Sequence, residues 1–144
     1  MAKTSQVPRF VRPGNVLMTA LMRAGFKVGL IHLLTVRGRK SGQPRTTPIA
    51  VVEQNGKRYL AAPYGIVDWV RNLRAAGEAV LTRGRRSETV TALELPPSEA
   101  GLFLQGLIKD SNPFSRYFDV TEQSSLEDFE RTALSHPVFL LERK

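Results

Sequence analysis

No cysteine occurs among the 144 residues. That absence removes disulfides, thiolate catalysis and cysteine-based zinc sites, and it fits a reducing, cytoplasmic setting. Long apolar runs are missing as well, since no stretch reaches the ~18 residues that a membrane span requires. Met1 to Phe10 is basic but is not followed by an apolar segment with a cleavage site, so it does not read as a secretory signal. Histidine is scarce: His32 and His136 are the only two, far apart and without a carboxylate motif beside either. A metal site is therefore not expected, and both rings are expected to be structural. There is no Gly-x-Ser-x-Gly elbow and no carboxylate pair at catalytic spacing. The sequence thus shows no catalyst of its own. An enzyme of this composition takes its reactive chemistry from a bound cofactor and itself supplies position and electrostatics.

What the sequence does have is positive charge. Lys and Arg number 21 against 13 Asp and Glu, a net charge of +8. With 42% hydrophobic and 24% charged residues the chain is globular, and its length suits one domain. Residues 1–14, with Pro8 and Pro13, read as a basic arm, and residues 15–144 as the domain. The charge favours an anionic partner: a phosphorylated cofactor, nucleic acid or an anionic membrane surface. Nucleic acid ranks last, because no aromatics interleave along a basic face.

Asn15 to Ala24 places Val16, Leu17, Ala20, Leu21 and Ala24 at helical spacing. Leu30 to Val36 is a β-branched and leucine-rich run of strand length. Thr46–Glu53 and Lys57–Ala62 flank Gln54-Asn55-Gly56, the strongest short-range hairpin signal. Pro48 suggests an edge position, a bulge or a strand start. Asp68–Ala76 predicts a helix with Asp68 as N-cap and Gly77 just past its end. Glu78–Thr82 and Arg86–Leu95 flank Arg83-Gly84-Arg85, a second hairpin. A helix follows from Pro96 to about Lys109 with Leu102, Phe103 and Gly106 on one face. Asn112–Tyr117 and Leu126–Arg131 read as shorter helical pieces, and Pro137–Glu142 as a last strand. The order predicts an α+β fold around an antiparallel sheet or small barrel.

The chemistry concentrates in Gly38-Arg39-Lys40-Ser41-Gly42-Gln43-Pro44-Arg45. Gly38 and Gly42 permit positive φ and close backbone approach, and Pro44 stiffens the exit. Arg39 and Arg45 offer planar forks for oxyanions, Lys40 a point charge, Ser41 a hydroxyl and Gln43 an amide. The segment reads either as an oxyanion cradle or as a solvated basic turn. It is not a Walker A loop, whose spacing is absent. Trp69, the only tryptophan, reads as a core anchor or as a neighbour of Asn72 in a pocket. Asn72 either presents its amide to a polar ring edge or caps a nearby strand. Tyr64 and Gly65 could wall a flat pocket. Phe114, Tyr117 and Phe118 form an aromatic cluster that is either core or a substrate lid.

Leu34 to Pro48 resembles the signature of the deazaflavin (coenzyme F420)-dependent nitroreductase family. Trp69-Val70-Arg71-Asn72-Leu73-Arg74-Ala75 is similar to that family's W-x-x-N-L-x-A element. The resemblance covers roughly Leu30 to Leu95 and implies a divergent member. It implies a split β-barrel, antiparallel and FMN-binding-like, with an N-terminal helix and peripheral helices. It implies hydride transfer from the reduced coenzyme to a hydrophobic acceptor such as a quinone or nitroaromatic. Carried over, Arg39, Lys40, Ser41 and Arg45 would hold the phosphate and acidic tail of the coenzyme, and Gln43, Pro44 and Thr46 would shape the passage for its side arm. Tyr64, Trp69 and Asn72 would lie at the ring, and Tyr117 and Phe118 on the substrate side. FMN is the alternative cofactor. The stretch Pro63–Asp68 is shorter than the family's glycine loop. With the basic Lys3–Arg23 segment, that shortness raises an alternative: a non-catalytic lipid-binding or membrane-associated module, peripheral at the inner membrane face. Either a monomer or a homodimer is expected.

Overall fold

The computed structural model describes residues 31–109, 120–121 and 123–144. The basic arm, the helix expected over Asn15–Ala24 and the piece Asn112–Tyr117 lie outside the described residues. The elements run β1 (Ile31–Arg37), β2 (Pro44–Ala50), β3 (Val52–Gln54), β4 (Lys57–Ala61) and α1 (Asp68–Ala76). They continue with β5 (Glu78–Arg83), β6 (Arg86–Glu94), α2 (Pro97–Lys109), α3 (Leu126–Ser135) and β7 (Val138–Arg143).

The turn residues build the hairpins. Asn55 and Gly56 both take positive φ, 53° and 76°, and join β3 to β4 by a two-residue turn with a twist that suits the strands. Arg83 pairs with Arg86, so Gly84 and Arg85 alone turn the second hairpin, with Gly84 at φ 63°. One expectation fails here. Thr46–Glu53 is not a single hairpin arm: the chain leaves the ladder at Val51, so that β2 pairs with β1 and only β3 pairs with β4. Pro48 lies in β2, which has a single sheet partner, and an edge tolerates a residue without an N–H.

The seven strands are ordered β2-β1-β5-β6-β7-β4-β3, antiparallel at every rung. Its two outermost strands, β2 and β3, are consecutive in the chain and separated only by Val51. A sheet whose opposite edges are one residue apart must curl round on itself.

Alternation then sorts the side chains. Leu34, Val36, Ile49, Leu60, Val90, Phe139 and Leu141 line the inside, where Val70 and Leu73 of α1 join them. Ala61 and Val138 face outward and are covered by α2 and α3 through Phe103, Leu104, Leu107 and Phe129. Each such buried side chain larger than alanine contributes about 1.5–3 kcal/mol. The buried face of α2 therefore differs from the expected one, because Leu102 is 55% exposed while Ala100, Leu104 and Leu107 are buried. The crossing with α3 decides this: a Cβ on Gly101 would sit 2.9 Å from Cγ of Glu130.

Helix ends follow their sequences. Gly77 caps α1 at φ 73° with its N–H donated to the Leu73 carbonyl at 2.8 Å. At the other end the N-cap is Val67, not Asp68, which is the first helical residue. Ser125 caps α3 in a reciprocal pair with Asp128, and the helix runs to Ser135, past the expected Arg131. His136 is fully buried and its Nδ1 donates to the Ala62 carbonyl at 2.7 Å, a tie between β7 and the end of β4. Arg74 grips Glu94 through two bonds of 2.7 and 2.8 Å, which ties α1 to β6. Glu88 accepts from Arg58 and Arg143, and the Arg58 bond first of all holds its carboxyl below the ordinary value.

Candidate functional site

The β1–β2 ladder ends at the rung Arg37–Pro44, and the six residues between form a closed loop. Gly38 N–H donates to the Gln43 carbonyl at 2.8 Å, and Gly42 N–H to the Gly38 carbonyl at 2.9 Å. The Ser41 hydroxyl oxygen accepts from the Gln43 N–H at 3.1 Å, which leaves its proton for another partner. The two glycines serve different ends. Gly42 adopts φ 72°, the left-handed region. Gly38 is buried, and a Cβ there would meet Ser41 Oγ at 2.9 Å and the Gln43 carbonyl at 3.1 Å. Its bareness lets the loop fold on itself.

Helix α1 fixes the loop from outside. Asn72 is 6% exposed, and its Oδ1 accepts twice from Arg39: from the backbone N–H at 3.1 Å and from Nη1 at 2.8 Å. Nη2 of the same guanidinium lies 3.6 Å from Oδ1 of Asp68, which is also 3.9 Å from Nη1 of Arg71. Asn72 thus caps the loop that follows a strand, one of its two expected roles. Asp68, Arg71 and Asn72 share one helix face by their i, i+3, i+4 spacing. Sequence reasoning read Asp68 only as a cap and passed over Arg71; that spacing was the available signal.

The remaining candidates divide. Lys40 and Arg45 form no ion pair with a carboxylate of the described residues. Arg45 is opposite Val36, whose side chain lies inside the barrel, so Arg45 is on the α1 side of β2. Thr46 points the other way, and its hydroxyl is hydrogen-bonded to Thr35 at 2.8 Å. The structure does not bring Thr46 to the cations. Ser41, Gln43 and Pro44 are exposed along the loop and its exit. Tyr64 is half-buried and precedes Gly65, which turns at φ 86° into α1. Trp69 is half-buried too, its ring 6.1 Å from that of Phe139 and packed on the barrel core. It is an anchor for α1 with part of its surface left open. Tyr117 and Phe118 lie outside the described residues. Among the described residues no cluster of three metal-ligating side chains occurs, and no helix is long and apolar enough to cross a membrane.

The arrangement is a loop with two cations, Arg39 and Lys40, a third at its exit in Arg45 and one nearby carboxylate, with one guanidinium pinned by a buried amide. Cations so arranged can bind a polyanion.

A family model described as F420H(2)-dependent quinone reductase matches residues 14–125. A solved F420-H2 dependent reductase (FDR-A) is 26% identical, with a TM-score of 0.57 over 81% of this chain and 98% of that one. A domain-swapped dimer is 24% identical, with a TM-score of 0.58 over 92% and 97%. A Listeria innocua protein proposed to be a pyridoxamine 5'-phosphate oxidase is 11% identical at a TM-score of 0.54 over 90% and 92%. That likeness is one of fold: the curled sheet is the antiparallel split barrel. No curated protein sequence matches the chain significantly.

Proposed function

The chain belongs to the F420H2-dependent quinone reductase family, oxidoreductases with coenzyme F420 as cofactor, and on that premise we propose that it reduces a hydrophobic quinone with the loop Gly38–Arg45 as the coenzyme's anchor. The observation that carries this reading is the pinned guanidinium of Arg39 beside two cations, Lys40 and Arg45, that no described carboxylate neutralises. The donor set fits the coenzyme's anionic half. A phosphodiester and a polyglutamate tail need several separate cations along a strip, which the loop supplies, and forked donors suit their oxygens. Bound there, the coenzyme supplies the hydride.

The protein's share is placement. Arg39, Lys40 and Arg45 hold the acidic arm, while the Ser41 proton and the Gln43 amide add neutral donors. Tyr64 and the open part of Trp69 border the ring. Their apolar surfaces exclude water beside the acceptor, and positioning of this kind lowers the barrier by prepaid orientation. Nitroaromatics are secondary acceptors in this reading. The domain-swapped neighbour makes a homodimer the assembly to test first, by light scattering.

Titration of the protein with coenzyme F420 tests the binding, since deazaflavin fluorescence should change saturably at micromolar protein. Mixing with the reduced coenzyme and a quinone should regenerate the oxidised absorbance faster than a nitroaromatic does. An unchanged fluorescence would remove the basis of the reading.

A further inference from the structure

We propose that Asp68 is a resident counter-ion on Arg39 which an incoming anion displaces, so that this carboxylate sets how tightly the loop holds its ligand. The inference rests on the reading of Gly38–Arg45 as an anion anchor and concerns a residue that reading leaves idle.

The guanidinium of Arg39 has two differently held nitrogens. Nη1 is committed to the buried Asn72 at 2.8 Å, and the backbone N–H of Arg39 goes to the same oxygen. Those two bonds already fix where the side chain points. Nη2 meets Asp68 at 3.6 Å, within ion-pair range but beyond a good hydrogen bond. The Arg39 side chain is 27% exposed and that of Asp68 84%. A phosphate or carboxylate oxygen makes charge-assisted bonds to guanidinium at about 2.7–2.9 Å. It therefore outcompetes the loose contact at Nη2 and leaves the Asn72 bond intact. Arg71, 3.9 Å away, retains the released carboxylate. Orientation comes from Asn72, which makes it the positioning residue. Asp68 contributes mainly a negative charge next to the place where another must sit. A polyanion that engages Lys40 and Arg45 as well overcomes that repulsion, whereas a small monoanion gains too little. Asp68 is in this way a filter for ligands with several charges.

The experiment measures dissociation constants for coenzyme F420 by fluorescence and for inorganic pyrophosphate by calorimetry. The proteins are the wild type, Asp68→Asn, Arg39→Ala, the double variant and a charge control, Glu127→Gln on the surface of α3. Asp68→Asn should tighten both probes about two- to fivefold, the range of an exposed ion pair. Glu127→Gln, which changes net charge equally, should alter neither by as much. In the Arg39→Ala background the Asp68→Asn gain should be much smaller, because only charge repulsion and no contest for the guanidinium remains, and a merely structural role would not produce that dependence. Unchanged or weaker binding by Asp68→Asn overturns the proposal, as does an equal gain from the control. If the wild type binds pyrophosphate but not the coenzyme, the functional reading fails, and tightening of pyrophosphate alone still supports the counter-ion. If it binds neither, both fail.

Discussion

Two glycine-bearing basic hairpin tips stand at opposite ends of the barrel, and they are built differently. Gly38–Gln43 joins β1 to β2, and Gly84-Arg85 joins β5 to β6. Because β1 and β5 run antiparallel, with Leu33 opposite Thr82 and Thr35 opposite Val80, the tips point away from each other. The first has four cations, Arg37, Arg39, Lys40 and Arg45, and the second three, Arg83, Arg85 and Arg86. The second is a minimal turn braced by its ladder and by the Thr82–Ser87 hydroxyl pair at 2.8 Å. Nothing in the described residues commits one of its guanidinium groups to a buried acceptor. At the first, Asn72 does so for Arg39. Positive charge alone makes an attractive surface, whereas a cation with a fixed edge makes a site.

The two tips differ most sharply at their glycines. Gly38→Ala should force Ser41 and the Gln43 carbonyl apart and weaken coenzyme binding about tenfold or more, read by fluorescence titration. Gly84→Ala should leave that constant unchanged and cost about 1–2 kcal/mol in denaturant unfolding, the penalty of a left-handed alanine. If both variants bind equally well, the first loop is no more a site than the second. A smaller contrast comes from the cations. Lys40→Ala and Arg45→Ala should each weaken the coenzyme's binding about three- to tenfold, while Arg85→Ala and Arg86→Ala shift it less than about twofold.

The smallest effect lies in the wall between the tips. The Glu88 carboxyl is held below its ordinary value by Arg58 and Arg143, so its folded pKa is depressed. Its contribution is present above the unfolded value and is lost as pH falls through the folded one. Glu88→Gln should therefore lower Tm slightly at neutral pH and converge with the wild type in acid. A constant offset down to acid pH would contradict the assignment. Coenzyme binding should not respond.

The hairpins and the composition of the loop were legible because they are local. Asn55-Gly56 and Arg83-Gly84-Arg85 turn where their residue types demand, and Gly77 ends α1 as a left-handed cap. The loop's anchor was not legible in the same way. The Arg39–Asn72 bond spans 33 positions and depends on α1 packing its Val70 and Leu73 into the barrel core. The break at Val51 was hidden by alternation that runs straight through it: Thr47, Ile49 and Val51 keep one face, and only the choice of partner strand changes. On α2 the apolar residues extend round the helix, so the docking of Gly101 on α3 decided that Leu102 would face solvent. The short stretch Pro63–Asp68 invited a non-catalytic reading, yet the family match reaches across it.

The strand order also sets when the barrel can exist during synthesis. β7 comes last of the seven strands in chain order but sits inside the sheet, paired to β6 on one flank and β4 on the other. Until it emerges, the ladder is in two pieces, β2-β1-β5-β6 and β4-β3, with no rung between them. Both pieces expose edges that can pair with the wrong partner. Val138 to Arg143 acts as a keystone, so a nascent chain stalled before Pro137 would have made the Gly38–Gln43 loop and still have no continuous sheet to support it.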